Sequence, residues 1–187
     1  MATLTFREDG RVVDDPAEVS QILAGAGIWY GRYEGTDQLS EGATDQEILE
    51  AYKEHIERLM AEGGYVTADV INVKPETPGL DTMLNRFNKE HWHDEDEVRF
   101  IVHGRGLFHI HPPEGKVFSL EVVKGDMIRV PRGTHHWFDL CADKTIRAIR
   151  LFQDASGWSP HYTETREEEK FQPLCFGPSY FPAQRGL

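Results

Sequence analysis

At 187 residues the chain has room for one well-buried domain and little more, and its hydrophobic content of 39% is ordinary for a globular protein. Its 32 acidic against 20 basic side chains, a formal charge of -12 with no basic cluster, exclude nucleic-acid and anionic-membrane partners, whose surfaces need Lys/Arg patches. Two cysteines (Cys141 and Cys175) are too few for a disulfide framework, no apolar run approaches a membrane span, and Met1 to Glu8 carries no leader pattern, so a cytoplasmic chain is expected.

Helices are expected to dominate the first ninety residues. Asp15-Pro16-Ala17-Glu18 combines an N-cap, a proline at the first helical position and a capping-box acid, with Gly25 or Gly27 as the stop. Thr44-Asp45-Gln46-Glu47 repeats that signal. Ile48, Ala51, Tyr52, His55, Ile56, Leu59 and Met60 follow at helical spacing up to Gly63-Gly64. A shorter helix carries Leu80, Met83, Leu84 and Phe87, and strands are expected over Ile28 to Tyr33 and Asp69 to Val73. From Glu97 the pattern changes to short apolar runs: Val98 to Val102, Leu107 to Ile110, Val117 to Val123, Met127 to Val130 and Thr145 to Phe152. Glycines and prolines separate them, which indicates a sandwich or small barrel, mainly β, with the N-terminal helices packed on it in a single domain. Beyond Trp158 the chain is rich in Pro, Gly and aromatics and reads as irregular surface tail.

His91-Trp92-His93-Asp94-Glu95-Asp96-Glu97 places two imidazoles and a carboxylate at H-x-H-x-x-x-E spacing, and Pro131-Arg132-Gly133-Thr134 leads to His135-His136. Imidazole and carboxylate together suit a divalent first-row transition metal. On a strand His91, His93, Glu97 and Arg99 share one side. A straight strand would hold His93 and Glu97 about 13 Å apart, at about 3.3 Å per residue, so Asp94-Glu95-Asp96 must bend. Of the adjacent His135 and His136, which point oppositely when extended, only one can join the set. The second H-x-H, His109-Ile110-His111, has no nearby acid in sequence and is not expected to hold the functional metal. His55, His103 and His161 read as ordinary surface or hydrogen-bonded residues.

These spacings resemble the two cupin motifs. The first is carried by His91, His93, Glu97 and Gly104, the second by Gly125, Pro131, Gly133 and His136. The second motif favours His136 over His135. Asn85 and Leu140 depart from the pattern at positions that supply no ligand. The run Glu90 to Phe100, Val130 to Phe138, and Ala148 to Phe152 followed by Gly157-Trp158 is similar to the acireductone dioxygenase family of cupins, over most of the chain to about Trp158.

That resemblance implies a cupin barrel (double-stranded β-helix) spanning 1–187 as one domain, with residues 91–153 as the metal-binding core and 154–187 as tail. It implies Fe(II) or Ni(II), one ion per chain, held by His91, His93, Glu97 and His136, in a monomer. The implied reaction is cleavage of the acireductone of methionine salvage by O2. Iron would direct it to a keto acid and formate, nickel to methylthiopropionate, formate and carbon monoxide. A metal with four protein ligands and two open positions could chelate the deprotonated enediol. Arg99 would hold substrate charge, with an ion pair to Glu95 or another acid as the alternative. Phe100, Phe138 and Trp158 match aromatic positions of the family and would wall the pocket, or else serve as plain core. A cupin oxygenase of another small enediol, or a non-catalytic ligand-binding cupin, are the rival readings.

Overall fold

The computed structural model describes residues 1–33, 39–40, 42–155 and 157–175, so the expected tail beyond residue 175 lies outside the described residues. The N-terminal segment opens with β1 (Thr3–Thr5) and β2 (Val12–Val13), then α1 (Pro16–Gly25) and β3 (Trp29–Arg32). The Asp15 carboxylate caps α1 by accepting the N–H groups of Ala17 and Glu18 at 3.1 and 2.9 Å. α2 (Asp45–Ala51) begins with the complete capping box, Thr44 and Glu47 each accepting from the other's backbone. The helical run expected from Ile48 to Met60 is bent at Tyr52, where α3 (Lys53–Gly63) begins, although hydrogen bonds run through the bend. Tyr52 is buried there, its ring edge-on to Phe100 at 4.6 Å. β4 (Thr67–Val73), α4 (Leu80–Phe87) and the two-residue β5 (His91–Trp92) complete the first half.

The second half is β6 (Glu97–His111), β7 (Phe118–Val123), β8 (Asp126–Val130), β9 (His135–Asp139), β10 (Ile146–Phe152) and β11 (His161–Tyr162), ending in a 3-10 turn over Glu167–Lys170. The two expected strands Val98 to Val102 and Leu107 to Ile110 are one strand of 15 residues that changes sheet midway. Its first part lies between β8 and β10, with Arg99 opposite Ile128 and Arg150. Its last part lies between β7 and β9, with Ile110 opposite Phe118 and His136. The first sheet therefore runs β4-β10-β6-β8-β3 and the second β11-β5-β9-β6-β7-β1-β2. Gly104 marks the change: its φ is +71° and a Cβ there would sit 2.1 Å from the Thr145 carbonyl oxygen, so no other residue fits the close pass.

All strand pairs among the described residues are antiparallel. The strands expected over Ile28 to Tyr33 and Asp69 to Val73 are found as β3 and β4, but the first ninety residues are less helical than expected, because β1, β2 and these two strands extend the sheets. β1 and β2 are too short for alternation to reveal them.

Two apolar clusters hold the elements. One gathers Leu4, Val19, Leu23, Ile101, Phe108, Leu120, Ile128 and Ala148 with their neighbours, and packs α1 and α4 with both sheets. The other places Ile48, Tyr52, Ile56 and Leu59 of α2–α3 on Val98, Phe100, Val102, Ile149 and Leu151. The even-numbered residues of early β6 thus face helices, and the odd-numbered Glu97 and Arg99 face the other way. The cysteines also differ from expectation: Cys141, just after β9, and Cys175 are joined by a disulfide, Cα to Cα 5.6 Å. Their separation of 34 residues gave no sequence signal of a pair.

Candidate metal centre

The ladder sets His91 of β5 directly opposite His136 of β9. Between His93 and Glu97 the chain bends as the distance argument requires, and each acid of the link has a partner that fixes the bend. Asp94 meets the His161 ring at 2.5 Å. Glu95 Oε2 accepts the backbone N–H groups of Gln153 and Asp154 at 2.5 and 3.0 Å. Asp96 accepts the N–H of Arg132 at 3.1 Å, and the Gly133 N–H donates to the His93 carbonyl at 2.9 Å. The Pro131–Gly133 turn is thereby clamped to the bend.

Glu97 Oε2 consequently lies 3.2 Å from His93 Nε2 and 3.0 Å from His136 Nε2. The imidazole centroids are 4.8 Å (His91–His93), 4.6 Å (His91–His136) and 5.2 Å (His93–His136) apart. One ligand atom from each of the four residues lies within 4.8 Å of all the others, and every one of these residues is at most 3% exposed.

Protonation follows from the partners. His91 Nδ1 faces the Lys89 carbonyl at 2.6 Å, His93 Nδ1 that of Ser159 at 2.9 Å, and His136 Nδ1 that of Thr134 at 2.8 Å. A carbonyl only accepts, so each Nδ1 carries the proton and each Nε2 lone pair is turned toward the others. Buried His93 Nε2 has no hydrogen bond among the described residues. Nε2 atoms facing a carboxylate oxygen at such distances need a cation between them, a proton in the metal-free chain or a metal ion, and this arrangement suits a metal site.

Burial, with the neighbouring His136, pushes the His91 imidazole down to about 3, so it is neutral at pH 7. Burial also opposes charge on His93, but the hydrogen-bonding reach and charge of Glu97 outweigh it and raise His93. Burial would raise Glu97. The Arg99 guanidinium, joined by His136 and His93, instead holds it well below the ordinary carboxylate range.

The model of the ARD/ARD' family matches residues 15–160. The chain belongs to that family. It is 38% identical to the acireductone dioxygenase of Picosynechococcus sp., over 93% of this chain and 99% of that protein. It is 45% identical to that of Hahella chejuensis, over 86% and 82% of the respective chains. A solved structure of acireductone dioxygenase from Bacillus anthracis, with a cadmium ion in its active centre, is 36% identical at a TM-score of 0.82. It covers 87% of this chain and 98% of that one. The family resemblance read from the motifs is thus established, and the mostly β architecture with few helices is that of the matched structure. The donor set suits a divalent transition metal.

The ARD/ARD' chain brings most of the remaining candidates to the centre. Arg99 Nε donates to Glu97 Oε1 at 2.8 Å, so its acid partner is the candidate ligand Glu97, and Glu95 instead holds the 153–154 turn. The Arg99 guanidinium lies 4.8 Å from the Trp158 ring and 5.8 Å from that of Phe138. Trp158 is also 6.0 Å from the His93 ring, and its buried indole N–H has no partner among the described residues.

Phe100 is not brought there. Its even position turns it to the helices, 4.9 Å from Tyr33 and 4.6 Å from Tyr52, and strand alternation was the signal that it belongs to the core. Phe87, expected on this helix but not at the site, closes on His91 at 5.9 Å from the end of α4. Its helical spacing marked it as core and nothing tied it to the motif. Beside the centre, Met83, Arg86, Phe87, Arg150, Phe152 and Trp158 line part of a cleft of about 810 Å³.

Proposed function

We propose that the chain is an acireductone dioxygenase of methionine salvage, cleaving 1,2-dihydroxy-5-(methylthio)pent-1-en-3-one with O2 at one ion held by His91, His93, Glu97 and His136. The observation that carries this reading is the convergence of three Nε2 lone pairs and one carboxylate oxygen in a buried space, with a guanidinium at its wall. The family membership is consistent with it. When bound, the metal supplies Lewis acidity and open positions for two adjacent enediol oxygens, favouring their deprotonated form. Loaded with Fe(II), the chain would yield 4-methylthio-2-oxobutanoate and formate. With Ni(II) it would yield 3-methylthiopropionate, formate and carbon monoxide.

The chain's own groups have distinct tasks. Arg99 occupies Glu97 Oε1 and leaves Oε2 to the centre, and its other N–H groups stand where an anionic substrate gains charge. Trp158 and Phe138 flank that guanidinium and offer an apolar wall to the methylthio tail, with the Trp158 N–H free to donate to a substrate oxygen. The carbonyls of Lys89, Ser159 and Thr134 fix the imidazole tautomers. We read the two sheets as a cupin barrel carrying α1–α4 outside it, one domain over 1–187 and monomeric. Oxygen uptake on adding acireductone to the iron-loaded protein, lost in Glu97→Ala, tests the assignment. Binding of the acireductone without oxygen uptake would favour a non-catalytic cupin instead.

A further inference from the structure

The metal centre uses only one side of each strand that builds it. Successive residues of extended chain alternate, so His91 and His136 face the centre while their neighbours Glu90 and His135 face away from it. On that other side His135 is paired in register with His111, the last residue of β6, just as His136 is paired with Ile110. The Glu90 carboxylate is fully buried, and its Oε1 lies 2.5 Å from His111 Nδ1. Its Oε2 accepts from the hydroxyls of Thr163 and Thr165, which orient the carboxylate toward the histidines.

The rings of His111 and His135 are 6.2 Å apart, and one ligand atom from each of Glu90, His111 and His135 lies within 4.8 Å of the other two. The His109-x-His111 doublet lacks an acid in sequence, and folding supplies one from twenty-one residues away. The doublet is also split. His109 turns inward to Ser119 at 2.8 Å and stacks on Trp137, while His111 turns to Glu90.

We propose that Glu90, His111 and His135 form a second divalent transition-metal site, back to back with the first, for a borderline ion such as zinc, nickel or cobalt. Two imidazoles and a carboxylate are the donor types of such ions, at about 2.0–2.2 Å from the metal. Closing the three donors onto one ion requires small rotations of His111 and His135, which their partial exposure permits. The ion takes the place of the proton between His111 and Glu90. Three protein ligands leave a position for water, so the ion exchanges with solvent and binds more weakly than at the four-ligand centre. The site joins three separate segments, and its occupancy stabilises the fold by linkage. It does not depend on the reaction assigned to the first centre.

Equilibrium dialysis of the metal-free full chain against Zn(II), with bound metal counted per chain, tests this. Cobalt absorption spectra serve as a second readout. Wild type is expected to hold two ions per chain, and the double variants His91→Ala/His93→Ala and His111→Ala/His135→Ala one each. A wild-type plateau at a single ion overturns the proposal, and so does a second ion that persists in His111→Ala/His135→Ala. If that variant does not fold, His135→Gln on the partly exposed edge is expected to weaken the second ion at least tenfold and leave the first unchanged. An unchanged second ion in His135→Gln also overturns it. Two ions retained in His91→Ala/His93→Ala, with one lost in His111→Ala/His135→Ala, refute the first centre and support the second.

Discussion

Replacing Arg99 by methionine keeps most of the volume and removes the cation from Glu97. The two side chains are in contact at 2.8 Å and only 7% and 3% exposed, so solvent cannot screen what remains. Stripping one partner from a buried pair costs about 3–5 kcal/mol, because the other charge is left without compensation. For a chain of this length about 2–4 °C of melting temperature accompanies each kcal/mol, so metal-free Arg99→Met should melt roughly 6–20 °C below metal-free wild type at pH 7.

A divalent ion on Glu97 Oε2 supplies the missing positive charge, and most of that loss should vanish in the loaded protein. Acid should also relieve it. Without Arg99, burial raises the Glu97 pKa, and the carboxyl protonates at a higher pH than in wild type. Calorimetric melts of both proteins, with and without metal, at pH 7 and pH 5 give the four comparisons. A deficit that is equal with and without metal would refute the reasoning, as would a metal-free deficit below about 1 kcal/mol.

His91 gives the metal-free protein an acid lability. Its folded pKa of about 3 lies below the unfolded value of 6.5, so stability is lost as pH falls below 6.5, by about 1.4 kcal/mol per unit until about 3. His93, raised in the fold, contributes stability that is complete below 6.5 and fades as pH rises through its folded pKa, so it does not cancel this slope. Melts between pH 7 and 5 should fall accordingly, and a flat profile would contradict the buried neutral His91. Glu95→Ala frees the 153–154 turn and the bend, and should weaken metal binding about 10–100-fold in a competition titration. Phe100→Ala should cost about 3–5 kcal/mol in denaturant unfolding while leaving metal content and KM unchanged, whereas Trp158→Leu should raise KM.

The candidate ligand set was legible in the sequence because few chemistries need H-x-H with an acid four residues on, and because side-chain parity and strand rise together required the bend. The same parity places Phe100 among the helices, yet analogy with aromatic positions put it in the pocket, and alternation is the firmer guide. Other features left no local trace. Gly104 signals a turn and a close strand crossing alike, so one strand read as two. β5 and β11 are two residues each and are held by pairing partners far along the chain. The carbonyls of Lys89, Ser159 and Thr134, which turn the imidazoles, are backbone groups that every residue possesses. The role of Glu95 depended on which N–H groups the fold carries to it. The Cys141–Cys175 bond depended on how the chain returns after residue 170.

The central claim concerns a reaction at one defined set of ligands, and product analysis reaches it most directly. Protein loaded separately with Fe(II) and with Ni(II), and supplied with acireductone under oxygen, should give formate with the keto acid from the first. From the second it should give formate, carbon monoxide and methylthiopropionate. Absence of product with either ion, at full metal occupancy and with the fold intact, would contradict the account.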